Sequence, residues 1–78
     1  MSIVVYSRSN CHYCVSAKNH LRTKNIKFTE VDLDDVQALT EFRNQYPDIR
    51  QVPQIVINGE RIGGYLELLK YDLSSFIV

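Results

Sequence analysis

The only two cysteines of the 78-residue chain, Cys11 and Cys14, stand two residues apart. A thiolate is both the nucleophile of disulfide exchange and a ligand for soft metals, so a Cys-x-x-Cys pair serves redox exchange or half of a metal site. Zinc needs four ligands. Only His12 and His20 lie nearby, and no second Cys-x-x-Cys or His-x-His completes a tetrahedron, which favours redox exchange over metal. Two inert buried thiols are the third reading. As a staple the bridge would be weak, because two intervening residues enclose almost no loop.

The two thiols are not equivalent by position. Cys11 falls at or just before the start of a predicted helix, where unpaired N–H groups favour negative charge and Arg8 and His12 add positive potential. Cys14 lies one turn inside. The expectation is therefore Cys11 as nucleophile and Cys14 as resolving thiol. Arg8 and His12 read equally as solvated loop residues, and Tyr13 either walls a thiol cleft or is a half-exposed aromatic. His20, mid-helix, receives no role.

The pair must be held by the elements around it. Ile3-Val4-Val5-Tyr6 is an apolar run ending at Ser7-Arg8-Ser9-Asn10, a buried strand and loop. A helix over about Cys11 to Lys24 follows, with Ser9 or Asn10 as its cap, then a strand from Ile26 to Val31. Asp32-Leu33-Asp34-Asp35 supplies caps for a second helix whose apolar stripe is Val36, Leu39, Phe42 and Tyr46, ended by Pro47. Gln54 to Ile57 reads as a strand, Asn58-Gly59 as a tight hairpin turn and Glu60 to Ile62 as the returning strand. Gly63-Gly64 breaks it, and Tyr65, Leu68, Leu69, Leu73 and Phe76 make one last amphipathic helix. The order β-α-β-α-β-β-α predicts an α/β fold: a four-stranded mixed sheet flanked by three helices, as a single domain over residues 1–78. The cysteines then sit in the loop after the first strand, where such sheets build sites.

Composition bounds the rest. Hydrophobic residues make up 45% and charged residues 23%, which excludes a disordered tail or a disulfide scaffold, and no apolar run approaches the ~20 residues of a membrane span. Nine bases balance nine acids, giving no reason to expect nucleic acid or an anionic membrane as partner. Residues 1–27 nevertheless hold five bases and no acid, while residues 28–78 hold all nine acids against four bases, which reads either as two solvated helix faces of opposite sign or as positive potential gathered around the cysteines. The first residues lack the basic region and cleavage site of a secretory signal, and the expectation is a cytoplasmic monomer.

Taken together, Tyr6-Ser7-Arg8-Ser9-Asn10-Cys11-His12-Tyr13-Cys14, Gln51-Val52-Pro53-Gln54-Ile55 and Gly63-Gly64-Tyr65 resemble the glutaredoxin family along nearly the whole chain. The resemblance implies a thioredoxin-like fold and glutathione-linked thiol–disulfide exchange, with Cys11 exposed and Cys14 its dithiol partner. It implies that Pro53 is a cis-proline facing the pair and that Val52 offers its backbone to the cysteinyl part of glutathione. Arg8, Tyr13, Arg50 and Gln51 would line the groove and hold the glycine carboxylate, while Gly64, Tyr65 and Leu66 at the start of the last helix would receive the γ-glutamyl end. It also implies protein disulfides or glutathionylated proteins as clients, ribonucleotide reductase among them, with no resident metal.

Three places depart from the usual pattern: His12 replaces a proline, Gln51 a threonine, and Leu66-Glu67 a small polar residue and an aspartate. Arg50-Gln51 before Val-Pro is also similar to NrdH-type redoxins, which thioredoxin reductase reduces. A module of another class, carrying an iron–sulfur cluster or metal on the first cysteine, is the remaining alternative.

Overall fold

A computed structural model describes residues 2–77. Its strands are β1 (Ile3–Ser7), β2 (Thr29–Asp32), β3 (Gln54–Ile57) and β4 (Glu60–Gly63). Its helices are α1 (His12–Thr23), α2 (Val36–Gln45) and α3 (Tyr65–Lys70), followed by a 3-10 turn at Ser74–Phe76. The sheet order is β2-β1-β3-β4, with β1 parallel to β2 and antiparallel to β3, and β3 antiparallel to β4. This is the expected thioredoxin-like α/β arrangement.

The core forms where the central strands meet α1 and α3. Ile3 and Val5 of β1 alternate inward, and every residue of β3 is buried. Ala17, Leu21, Leu68 and Leu73 close over Ile55 and Ile57. Asn58 and Gly59 both take positive φ, 52° and 86°, the twist a two-residue hairpin requires. Between β3 and β4 the register slips at Ile55/Val56, and the bulge ends at Gly63 with φ 124°.

Four local expectations are corrected. The second strand begins at Thr29, not Ile26, because Ile26 finishes α1: its N–H donates to the Leu21 carbonyl (3.0 Å), that of Asn25 donates to Arg22 (3.0 Å), and Asn25 is left-handed at φ 57°. That is a Schellman closure, and its apolar contact is Ile26 on Leu21 within the core. The cap of α1 is Cys11 itself rather than Ser9 or Asn10, since Asn10 is left-handed at φ 56° and a cap residue is extended.

Val36, in the first turn of α2, is 76% exposed, and only Phe42 of the predicted stripe is fully buried. The last helix stops at Lys70, since Tyr71 turns extended and Asp72 accepts from the Ser74 N–H (3.0 Å), opening the 3-10 turn. Leu68 and Leu73 would lie about 140° apart on one continuous helix. The break lets both reach the core and leaves Leu69 exposed.

Candidate active site

The loop from β1 to α1 is tied down before it reaches the cysteines. The Leu33 N–H donates to the Ser7 carbonyl (2.8 Å), the Ser9 N–H donates to Asp34 (3.0 Å), and Arg8 Nε pairs with the same carboxylate (3.4 Å). Donors on Ser9, and then Arg8, hold the Asp34 carboxyl below its usual range. Behind the loop, Ser7 Oγ (2.8 Å) and Lys18 Nζ (2.7 Å) both donate to Glu30 Oε2, and Lys18 followed by Ser7 lowers that carboxyl too. The end of β1 is thus fastened to β2 and α1.

Cys11 and Cys14 form a disulfide with Cα atoms 5.2 Å apart. As the N-cap, Cys11 Sγ accepts the Cys14 backbone N–H at 3.1 Å, and it lies 3.9 Å from the Val52 carbonyl oxygen. Cys11 is half-buried and Cys14 is 0% exposed. Once the bridge is opened, a thiolate on Cys11 keeps that N–H and the first turn of a 12-residue helix, both favourable to negative charge. The outer sulfur is also the one with room to meet another sulfur.

Beside it runs a groove of about 430 Å³, lined by Tyr13, Gln51, Val52, Pro53, Gln54, Gly64, Tyr65, Leu66 and Glu67. That size accommodates a short peptide. The Val52–Pro53 peptide is cis. Tyr13 and Tyr65 stack with centroids 5.7 Å apart, and a Cβ at Gly64 would come within 3.3 Å of the Pro53 carbonyl oxygen. Seven residues singled out in the sequence, Tyr13, Gln51, Val52, Pro53, Gly64, Tyr65 and Leu66, therefore share one groove.

Arg8 and Arg50 do not line it. They lie across the Gln51-Val52 ridge, with Arg43, around a small cleft of about 20 Å³ floored by apolar side chains of α2 and its flanking loops. There Arg50 Nη1 is anchored on the Pro47 carbonyl (3.0 Å). His12 is exposed, and among the described residues no cluster of three or more His, Cys, Asp or Glu gathers as for a metal.

Gln54 and Glu67 also line the groove; the sequence assigns neither a contact, although Glu67 stands where the family pattern has an aspartate. Gln54, 4% exposed, donates to the Gln51 carbonyl (3.0 Å) and accepts from Arg61 Nη1 (3.0 Å), so a buried amide sets the edge on which Val52 stands. Its signal was a polar residue inside a fully buried strand. Glu67 folds back so that its Oε1 accepts at 2.7 Å the N–H of Gly64, one of the residues expected to receive the γ-glutamyl end. An acid three residues after a helix start carries that capping signal.

Comparison with known proteins agrees with this fold. The family model described as Glutaredoxin matches residues 3–62. Mitochondrial glutaredoxin-2 of Pongo abelii is 38% identical over 69 residues, which cover 80% of this chain and 40% of that protein. The chain thus spans less than half the length of that relative. Glutaredoxin 1 of Francisella tularensis, solved with cacodylate, superposes with a TM-score of 0.76 at 36% identity, covering 88% of each chain. A buckwheat glutaredoxin–glutathione complex superposes at 0.74 and 27% identity, covering 87% of this chain and 64% of that one.

Proposed function

The chain belongs to the glutaredoxin family, and we propose that it is a glutathione-dependent thiol–disulfide oxidoreductase acting through Cys11 and Cys14. The observation that carries this is the asymmetry of the pair: a half-buried Cys11 sulfur holding the Cys14 N–H at 3.1 Å beside a peptide-sized groove, with Cys14 sealed beneath it.

In the reduced protein, Cys11 thiolate attacks a glutathionylated client on the glutathione sulfur. A Cys11–glutathione disulfide forms and the client thiolate leaves. A second glutathione attacks that sulfur, giving oxidised glutathione and regenerating Cys11. Against a protein disulfide the first step leaves the client on Cys11, and Cys14 thiolate then displaces it, closing the Cys11–Cys14 bridge. Two glutathione molecules reopen that bridge, supplying the two electrons. In the mixed disulfide the cysteinyl backbone of glutathione pairs with Val52 as an added strand, Pro53 walls the sulfurs, and Tyr13 and Tyr65 flank the tripeptide. The buckwheat complex supports a tripeptide on this fold. Clients are disulfide-bearing or glutathionylated proteins, ribonucleotide reductase among them.

One observation favours a second electron source. The Glu67 carboxylate already holds the Gly64 N–H, and Leu66 beside it offers no polar group to a γ-glutamyl end. Reduction by thioredoxin reductase is therefore the competing reading. NADPH consumption with a small disulfide, run with glutathione plus glutathione reductase and separately with thioredoxin reductase, separates them. Turnover in the first assay alone supports the proposal, and turnover in the second alone overturns its glutathione part. Cys11→Ser should abolish exchange, whereas Cys14→Ser should retain removal of glutathione and lose reduction of protein disulfides.

A further inference from the structure

Arg61 is a charged residue that the exchange mechanism leaves unused, and its guanidinium is committed to neutral partners. Among the described residues it has no carboxylate within ion-pair distance. Its Nη1 donates to Gln54 Oε1 at 3.0 Å, and its Cζ lies 5.9 Å from the centre of the Tyr46 ring at the end of α2. The sheet explains the meeting. Arg61 of β4 is paired with Val56 of β3, and Gln54 lies two residues before Val56 on the same face, a diagonal that a long side chain spans. The other end of the amide, Nε2, donates to the Gln51 carbonyl at 3.0 Å, so Gln54 links β4 to the residue that precedes Val52.

We infer that Arg61 is a positioning residue for glutathione binding: it fixes which end of the Gln54 amide faces Gln51, and through that amide the Val52 edge. The inference rests on the glutathione reading proposed above and adds to it a residue outside the groove. A guanidinium only donates and a carbonyl only accepts, so Arg61 takes the amide oxygen and leaves the NH2 group for Gln51. Turned over, the amide would set its oxygen against the Gln51 carbonyl and its NH2 group against the guanidinium, two repulsive contacts in place of two bonds. Gln54 is 4% exposed, so a lost partner leaves a buried polar atom unpaired. The Val52 carbonyl oxygen, next along the chain, lies 3.9 Å from Cys11 Sγ, so the edge that the amide holds stands beside the nucleophile.

The test compares Arg61→Lys, a donor, Arg61→Leu, neither donor nor acceptor, and Arg61→Glu, an acceptor, each made in the wild-type protein and in Gln54→Leu. The substrate is a peptide carrying one glutathionylated cysteine, reduced with glutathione, glutathione reductase and NADPH. Its KM should stay near the wild-type value in Arg61→Lys, rise about twofold in Arg61→Leu and rise about fivefold in Arg61→Glu, with kcat retained, because only the acidic side chain attracts the wrong end of the amide. In Gln54→Leu there is no amide to orient, so all three substitutions should leave KM within about 1.5-fold of that variant's own value. An effect of the lost charge by itself would persist there.

Equal KM values in Arg61→Lys and Arg61→Glu overturn the inference, as does a rise in Arg61→Glu that persists in Gln54→Leu. Absence of glutathione-dependent turnover in the wild-type protein refutes the glutathione reading instead. In that event the orienting role of Arg61 is decided by NMR on the protein without substrate. The Gln54 side-chain NH2 signals should keep their shifts and slow exchange in Arg61→Lys and lose both in Arg61→Glu. The same Gln54 signals in the wild type and in Arg61→Glu would refute the relay.

Discussion

Gly63 and Glu67 form a pair whose coupling is measurable. At φ 124° Gly63 occupies a conformation that a residue with a Cβ rarely adopts, and a Cβ there would lie 2.7 Å from Glu67 Cγ and 2.8 Å from Oε1. Gly63→Ala therefore carries a backbone cost of about 1–3 kcal/mol. It also displaces Glu67, an exposed and flexible side chain, from the Gly64 N–H, which forfeits a charge-assisted cap of about 1 kcal/mol. Together the loss is about 2–4 kcal/mol, and each kcal/mol lowers Tm by about 4–8 °C in a domain of this size.

Glu67→Ala alone should cost about 1 kcal/mol. In the double variant the cap is lost only once and the clash is absent, so the two single costs should exceed the double by about 1 kcal/mol in urea unfolding. Strict additivity would refute the view that Glu67 is held over Gly63 by that cap. The same Glu67→Ala protein exposes the Gly64 N–H to the groove and removes its one charged lining residue. Its KM for glutathione should fall about threefold with kcat unchanged. A KM that does not move would show that the Gly64 N–H takes no part in glutathione binding.

Gln54→Leu removes both bonds of the buried amide, so the Gln51-Val52 edge loosens: the KM for glutathionylated substrate should rise about fivefold with kcat retained, and stability should fall by about 1–2 kcal/mol in urea. Asp35→Ala deletes the side-chain bond to the Ala38 N–H that starts α2 and should cost about 1 kcal/mol in the same assay. Lys18 and then Ser7 hold Glu30 below its ordinary value of 4.5. Such a depressed carboxyl stabilises the fold above that pH and loses its contribution as pH falls through the lower folded value. Glu30→Gln should therefore be less stable than wild type by about 0.5–1 kcal/mol near pH 7, with Tm values converging in acid once the lowered folded value is passed.

What the sequence revealed and what it hid divide along the range of the interactions. Strand β1, the Asn58-Gly59 hairpin and the Asp35 start of α2 depend on neighbours a few residues away, so local pattern finds them. Ile26 looked like a strand residue because it is apolar and alternates with Phe28, yet its N–H is committed to closing α1. The end of α3 was hidden for a related reason, since apolar spacing alone does not show that Leu68 and Leu73 reach the same core through a break. In the site, the cysteine pair is adjacent in sequence and was visible. The separation of Arg8 and Arg50 from the groove was not, because it depends on which side of the Gln51-Val52 ridge α2 packs.

The division of labour proposed for the two thiols follows from helix geometry together with one cap. Cys14, Ala17 and Leu21 are spaced by three and four residues and are all fully buried, so Cys14 belongs to the core stripe of α1 whatever its chemistry. Three residues earlier the chain has not yet entered the helix, and Cys11 turns its sulfur back on the Cys14 N–H instead of into the core. The backbone group that terminates the helix is thus the one that stabilises the outer thiolate. A proline at position 12 would leave that bond intact, since the donor is Cys14. Substituting His12 with Pro should accordingly change the rate of exchange far less than Cys11→Ser, and an equally large loss would show that the loop ahead of α1, not the cap, prepares the nucleophile.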